Sequence, residues 1–410
     1  MPRTLAPQLS ALERQHLRRR RSTAEPGDVS THLLIDNRPV VNFCGNDYLG
    51  LSRHPAAAAA MAAAAQRWGC GSGASHLVTG HGPEHEHLER ELAAFVERER
   101  ALLFSTGYMA NLAVITALAG RGDAVVLDRL NHASLVDGAL LSGARLRRYA
   151  HADVTAAGRA LEQTAVGAAH EQPAQRCGRR LLLVTDGVFS MDGDVAPLPG
   201  LAALAARQPD TWLVVDDAHG LGVLGAAGRG TLEHFRLDAG AVPVLVGTLG
   251  KALGSFGAFV AGSADLVDWL IQAARPYIYT TALPQPVAAA TRANLATLQR
   301  EPWRRTRVLE LTGRFRARAA AAGVPLAPSD TPIQPVMLRA AGLAVFASEA
   351  LLAAGFRVAA IRPPTVPKGA SRLRVTLSAA HTEAEVDALV DALASILRAQ
   401  SRELTGHGLA

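Results

Sequence analysis

The stretch PVLVGTLGKALGS, residues 243–255, runs from a short apolar segment into a glycine-rich turn that carries a lysine. An apolar strand followed at once by a polar turn is the pattern expected at the carboxyl end of a strand in an open parallel sheet, where such folds bind ligands. The lysine itself is unusual. Lysine and arginine together number 42, and all but Lys251 and Lys368 are arginine. A guanidinium stays protonated at any ordinary pH, whereas a desolvated amine gives up its proton and becomes a nucleophile. Lys251 is therefore a candidate for Schiff-base chemistry. Taken alone, it reads more readily as an ordinary solvated loop lysine.

Working outward, the same rhythm repeats. ALLF precedes the helical pattern GYMANLAVITALA, AVVL precedes NHASLVDGALL, and LLLVTD and TWLVVDD follow. Apolar runs separated by helical patterns predict an α/β fold with a mostly parallel central sheet and helices on both faces. Each predicted strand ends on polar groups of a different kind. After ALLF comes Ser105-Thr106-Gly107-Tyr108, opening a helix whose free N–H groups suit a phosphate. Asp128 and His132 follow AVVL. Ser190 lies in the loop DGVFSMDGD, Asp216 and His219 lie in DDAHG, and Thr248 precedes Lys251.

An amine that forms a Schiff base, with a carboxylate partner for a pyridinium nitrogen, is how proteins bind pyridoxal 5'-phosphate (PLP). In that reading Lys251 takes the aldehyde and Asp216 keeps the ring nitrogen protonated. His219 can reach the phenolic oxygen and His132 can stack on one ring face. Thr248 and the Gly107–Tyr108 backbone hold the phosphate.

The rest of the chain sets the frame. Its 410 residues exceed the ~250–300 at which single cores stop growing. We expect an N-terminal arm and hairpin over 1–50, a large α/β domain over 51–285 and a smaller α+β domain over 286–410. HLLIDNRPVVNF reads as a hairpin turning at Asp36-Asn37, and HPAAAAAMAAAAQRWG as a helix opened at Pro55 and closed near Gly69. Residues 162–180 lack a period and read as a helix end plus a surface loop. One long helical stretch is expected from Val287 to near Ala322, and a last helix from Glu383 to about Arg398.

The net charge of +6, with much of the excess in Arg14–Arg21, admits an anionic partner. Nucleic-acid binding finds no motif and no interleaved aromatics to support it. Cys44, Cys70 and Cys177 fit neither a disulfide framework nor a zinc spacing, which suits a reduced, cytoplasmic chain with no metal. No apolar segment predicts a membrane span.

Seven motifs in order, from NFCGNDYLGLS through GSGASHLVTG, DRLNHASLVDG, GVFSMDGDVAPL, VDDAHGLGVLG and GTLGKALGSFGAF to IRPPTVPKGASRLRVTLSAAH, resemble the α-oxoamine synthases. These are fold-type I PLP-dependent transferases that join an amino acid to an acyl thioester with loss of carbon dioxide. The resemblance implies that Lys251 carries the cofactor and that Ser190 joins His219 at the phenolic oxygen. It further implies that Thr280 and Thr281 reach the phosphate of the partner subunit in a homodimer. Arg374 would grip the amino-acid carboxylate with Asn46 near the substrate, and Thr365 and one of Arg18–Arg21, preferably Arg20, would meet the acyl chain. The last motif points to the member using L-alanine and a pimeloyl thioester, carried by CoA or by an acyl carrier protein. The alternatives are a glycine acetyltransferase of the same family and, outside it, a basic or catalytically dead binding protein. His76 stands where many relatives have arginine.

Overall fold

The computed structural model describes residues 4–167, 180–208 and 210–406. Cys177 and most of the aperiodic loop lie outside them, while the helix leading into that loop ends at Gly167. The chain divides into two compact units: Leu51–Phe189 with Val195–Pro302, and Met1–Gly50 with Ser190–Asp194 and Trp303–Ala410.

The larger unit is built on a seven-stranded sheet. Its strands are β1 (Arg100–Phe104), β2 (Ala124–Asp128), β3 (Arg145–Tyr149), β4 (Leu181–Asp186), β5 (Thr211–Asp216), β6 (Val244–Thr248) and β7 (Ala258–Gly262). Across the sheet the order is β1-β7-β6-β5-β4-β2-β3. The pairings from β3 through β6 are parallel, and β7 is antiparallel to both β1 and β6. Strands β2 and β4 are buried at every residue, which is why they read as unbroken apolar runs.

Two strands of this sheet escaped the sequence reading. β3 lies at the sheet edge and carries half-exposed arginines, so it has no apolar run. β7 is short, rich in small residues and follows directly on the lysine turn. A cluster of Leu102, Val114, Ile115, Leu127, Val184, Val214 and Val246 forms the core that holds the strand ends in place.

The Pro55–Trp68 helix starts and stops as expected, with Gly69 at φ +78° beyond its end. The stretch expected to be one helix is two, Gln285–Arg300 and Trp303–Ala321. Pro302 has no N–H to donate into a continuing helix, which accounts for the break.

Gly254 closes the turn of Lys251, donating its N–H to the Lys251 carbonyl at 2.8 Å. Its φ is +58°, and a Cβ there would lie 2.4 Å from the backbone nitrogen of Ser52. Gly254→Ala must therefore move backbone, and we expect it to cost about 3 kcal/mol in urea unfolding. A variant as stable as the parent would show that the turn relaxes freely.

The smaller unit contains the hairpin His32–Ile35 and Arg38–Asn42, with Asp36 and Asn37 at φ +50° and +61° in the turn. Phe356–Arg357 adds a short parallel strand beside Val41 and Asn42. A second sheet has Ser371–Thr376 at its centre, flanked by Ile333–Arg339 and Ala359–Ile361. The last helix extends past the expected end, over Glu383–Gly406. The N-terminal arm is also not plain coil, because Ala6–Arg14 is helical. None of that helix is buried, and Leu5, Leu9 and Leu12 remain exposed.

Candidate active site

In the larger unit the strand ends bring the expected groups together. Asp216 ends β5, and the next three residues turn to present His219. Both are 6% exposed. Lys251 Nζ lies 2.8 Å from His219 Nε2. Asp216 uses Oδ1 to accept the Ala218 N–H at 3.0 Å and Oδ2 to accept from Asn111 Nδ2 at 2.6 Å. Its neighbour Asp217 has a different task. Fully buried, it takes the Thr231 N–H at 2.6 Å and so pins the loop back, and burial pushes its carboxyl up to about 7.

His132 caps the helix Ala133–Ser142, and its backbone N–H donates to Asp186 Oδ2 at 2.8 Å. Asp186 pairs with Asp216 in the β4–β5 register, so two carboxylates stand side by side under the site. Burial, then the Asp216 charge, holds Asp186 well above the usual carboxylate range. Burial pulls the His132 imidazole below its ordinary value, with Asp216 opposing and Lys251 adding to the effect.

Thr248, at the end of β6, accepts the Gly250 N–H at 3.3 Å through Oγ1. Gly107 and Tyr108 form the first turn of the helix Gly107–Leu118, where N–H groups have no partner within the helix. Thr106 Oγ1 takes the Met109 N–H at 3.2 Å, and a Cβ at Gly107 would meet no atom within 4 Å. That turn is an open cradle for an anion. Tyr108 reaches Asp137 with its hydroxyl. Thr280 is half-buried and Thr281 exposed, and the Thr281 backbone pairs with Ser75.

His76 stacks on Tyr277 at 4.9 Å and lies 2.9 Å from His81, Nδ1 to Nδ1. Burial, with His85 and His81 as neighbours, lowers its pKa to about 3. His85 completes the cluster with both ring nitrogens engaged, one by the Gly82 N–H and one by the Leu283 carbonyl.

The smaller unit gathers a second set. Arg374 is 5% exposed and donates from Nε to the Ser190 carbonyl at 2.6 Å. Its Nη1 and Nη2 each reach Asn46 Oδ1 at 3.3 Å, and Nη2 lies 3.5 Å from the Tyr48 hydroxyl. Two residues away on the same face of the strand, Arg372 binds Asp192 and the Met191 carbonyl, so one strand holds the whole 190–192 loop. Arg20 is largely exposed and paired with Glu13 at 3.0 Å. It is Arg19 that meets Thr365, Nη2 to Oγ1 at 3.1 Å.

Sequence reading missed Asn111, Ser134, Asp186, Tyr48 and Arg372. Asn111 left a signal: an amide buried in an otherwise apolar helix needs a polar partner. Asp186 closes the run LLLVTD just as Asp216 closes its own.

A profile of the aminotransferase class I and II family matches residues 38–393. The 8-amino-7-oxononanoate synthase of Methylococcus capsulatus is 59% identical over 93% of this chain and 95% of its own length. That of Cellvibrio japonicus is 55% identical over 97% and 96%. The chain belongs to the 8-amino-7-oxononanoate synthase family. Among solved structures, a serine palmitoyltransferase from S. paucimobilis with bound PLP–myriocin aldimine superposes with a TM-score of 0.88 at 30% identity, covering 96% of this chain and 97% of that one. The 8-amino-7-oxononanoate synthase of Francisella tularensis gives 0.75 at 30% identity, covering 88% and 99%. Both structures carry the fold-type I architecture, and at equal identity neither separates the two activities. The curated 8-amino-7-oxononanoate synthases, matched at more than half of all positions over nearly full length, do separate them. No described helix is long and apolar enough to cross a membrane.

Proposed function

We propose that this PLP-dependent acyltransferase condenses L-alanine with a pimeloyl thioester, releasing carbon dioxide and the thiol, to give 8-amino-7-oxononanoate for biotin synthesis. The observation that carries the reading is the 59% identity to a curated synthase across nearly the whole of both chains.

The groups at these strand ends fit PLP. An amine beside an imidazole, a buried carboxylate and an open helix N-terminus are the donor set it requires. When bound, PLP supplies an aldehyde that takes an amine and a ring that withdraws electrons from the attached carbon.

The chain's own groups do the rest. Lys251 Nζ would hold the aldehyde, and as a free amine it would take the α-proton of the substrate and return one at the end. The 2.8 Å contact with His219 gives that amine a neighbour with which to exchange a proton. Asp216 keeps a proton on the ring nitrogen, while His219 and Ser190 bond the phenolic oxygen. His132 covers one ring face. Thr248 and the N–H groups of Gly107 and Tyr108 hold the phosphate. Arg374 would grip the carboxylate of L-alanine with Asn46 beside it, which would orient the α C–H bond for proton removal. Thr365 and the Arg18–Arg21 segment meet the acyl chain, and the Arg19–Thr365 contact favours Arg19 for that role over Arg20. Thr280 and Thr281 reach the partner's phosphate in a homodimer. The exposure of Thr281, Tyr279, Leu77 and Val78 near the Ser75–Thr281 bridge supports such an interface.

Mass spectrometry of the product tests the reaction. L-Alanine with pimeloyl-CoA or the pimeloyl carrier protein is expected to yield the C9 amino ketone. Turnover of glycine with acetyl-CoA in its place would transfer the chain to the acetyltransferase reading.

Arg374 gives a separate expectation. Lysine cannot reproduce its planar fork, so Arg374→Lys should raise KM for L-alanine by roughly 10–100-fold, the worth of a charged hydrogen-bonded contact. Initial rates against L-alanine concentration would measure this, and an unchanged KM would remove Arg374 from the carboxylate site.

A further inference from the structure

Asn111, 1% exposed, donates from one nitrogen to two acceptors: Asp216 Oδ2 at 2.6 Å and Ser134 Oγ at 2.8 Å. An amide nitrogen has two protons, and both are spent here. Rotating the amide would turn Oδ1 toward the Asp216 carboxylate, acceptor against acceptor, so its orientation is determined. Ser134, fully buried, thus receives a proton from Asn111 and has its own to give. Its other neighbour is His132 Nδ1, 2.7 Å away. The Ser134 backbone N–H points at the same nitrogen from 3.3 Å. With two donors converging on Nδ1, the single proton of a neutral imidazole belongs on Nε2.

We propose that Asn111 and Ser134 are positioning residues that hold His132 as the neutral Nε2–H tautomer and tie its orientation to the Asp216 carboxylate. The use of that arrangement rests on the reading that His132 covers the PLP ring. A neutral imidazole lies against a protonated pyridine without like-charge repulsion, whereas an imidazolium would oppose the ring protonation that Asp216 maintains. The other groups facing His132 pull both ways. Asp216 and Asp137 favour its protonation, Lys251 and above all burial disfavour it, and Asp186 accepts its backbone N–H. The Ser134 backbone N–H can only donate to Nδ1, and the hydroxyl, oriented as a second donor, adds to burial in favouring the neutral form.

The test is long-range 1H–15N NMR of the histidine rings in the cofactor-free full chain, with His132 assigned by its disappearance in His132→Gln. The wild type should show a pyridine-type Nδ1 and a pyrrole-type Nε2, and keep them to a pH below the ordinary histidine midpoint of about 6.5. Ser134→Ala removes one oxygen from Nδ1. It should mix the two tautomers and raise the His132 midpoint by roughly one pH unit. Asn111→Leu should act in the same direction, and if it fails to fold by circular dichroism, Ser134→Ala decides alone. A wild-type Nδ1–H, an imidazolium at pH 7, or a Ser134→Ala spectrum identical to wild type would each overturn the proposal. Since neither cofactor nor substrate is present, the outcome leaves the assigned reaction untouched, just as failure of the product assay would leave the tautomer standing.

Discussion

Lys251→Ala is expected to abolish turnover and the visible absorbance that PLP acquires on the protein. The expected fall is at least ~10⁴-fold, the upper range for losing a positioned proton-transfer group, because the same side chain also holds the cofactor. The effect should be chemical rather than structural. Lys251 is half-buried in a turn closed by the Gly254 N–H, and that backbone bond survives the substitution. Lys251→Arg sharpens the point, since it keeps a cation but supplies no amine that can lose its proton. It should be as inactive as the alanine variant. Lys368→Ala, beside Gly369 in a separate turn, should absorb and turn over as the parent does. Measurable turnover in Lys251→Ala would remove the central residue from the mechanism.

The second large effect is expected at Asp216. Asp216→Asn keeps one side-chain oxygen, which can accept from Asn111 or from the Ala218 N–H but not from both, because the carboxylate uses Oδ2 for the first at 2.6 Å and Oδ1 for the second at 3.0 Å. It also loses the charge. Without a carboxylate the ring nitrogen has nothing to keep it protonated, and the ring withdraws electrons less well. We expect kcat to fall by roughly 10²–10⁴-fold, as for loss of a preorganised electrostatic partner. Asp217→Asn is the control. Its carboxylate is bonded to Thr231 and already raised to about 7, so its loss should leave turnover close to wild type. A pair of variants with equal activity would show that Asp216 does not face the cofactor.

How far the sequence speaks follows from burial. β2 and β4 are covered on both faces and announce themselves as apolar runs, and the polar residue that ends each strand then follows from counting. β3 was silent because an edge strand with arginines has no run to show. The break at Pro302 could have been read from the absent N–H, but the arginine- and alanine-rich pattern on either side outweighed it. Lys251, His132, Asp216 and His219 stood out as candidates because each lies at or just beyond the end of a strand. Asn111 and Ser134 were not, since they act on other side chains across a fold that sequence spacing does not reveal. Tyr48 lay inside a quoted motif and still went unnoticed. Its hydroxyl finds a use only when Arg374, 326 residues away, arrives beside it.

One amine holds the cofactor in the proposed mechanism, and the scarcity of lysine makes it easy to identify. Borohydride reduction of the PLP-loaded chain fixes the cofactor to whichever amine holds it, and peptide mass mapping then has only Lys251, Lys368 and the N-terminus to distinguish. The pyridoxyl mass is expected on the peptide containing Lys251, and it should disappear when L-alanine is added before reduction. Label on Lys368 or the N-terminus, or label at Lys251 that L-alanine fails to displace, would contradict that mechanism.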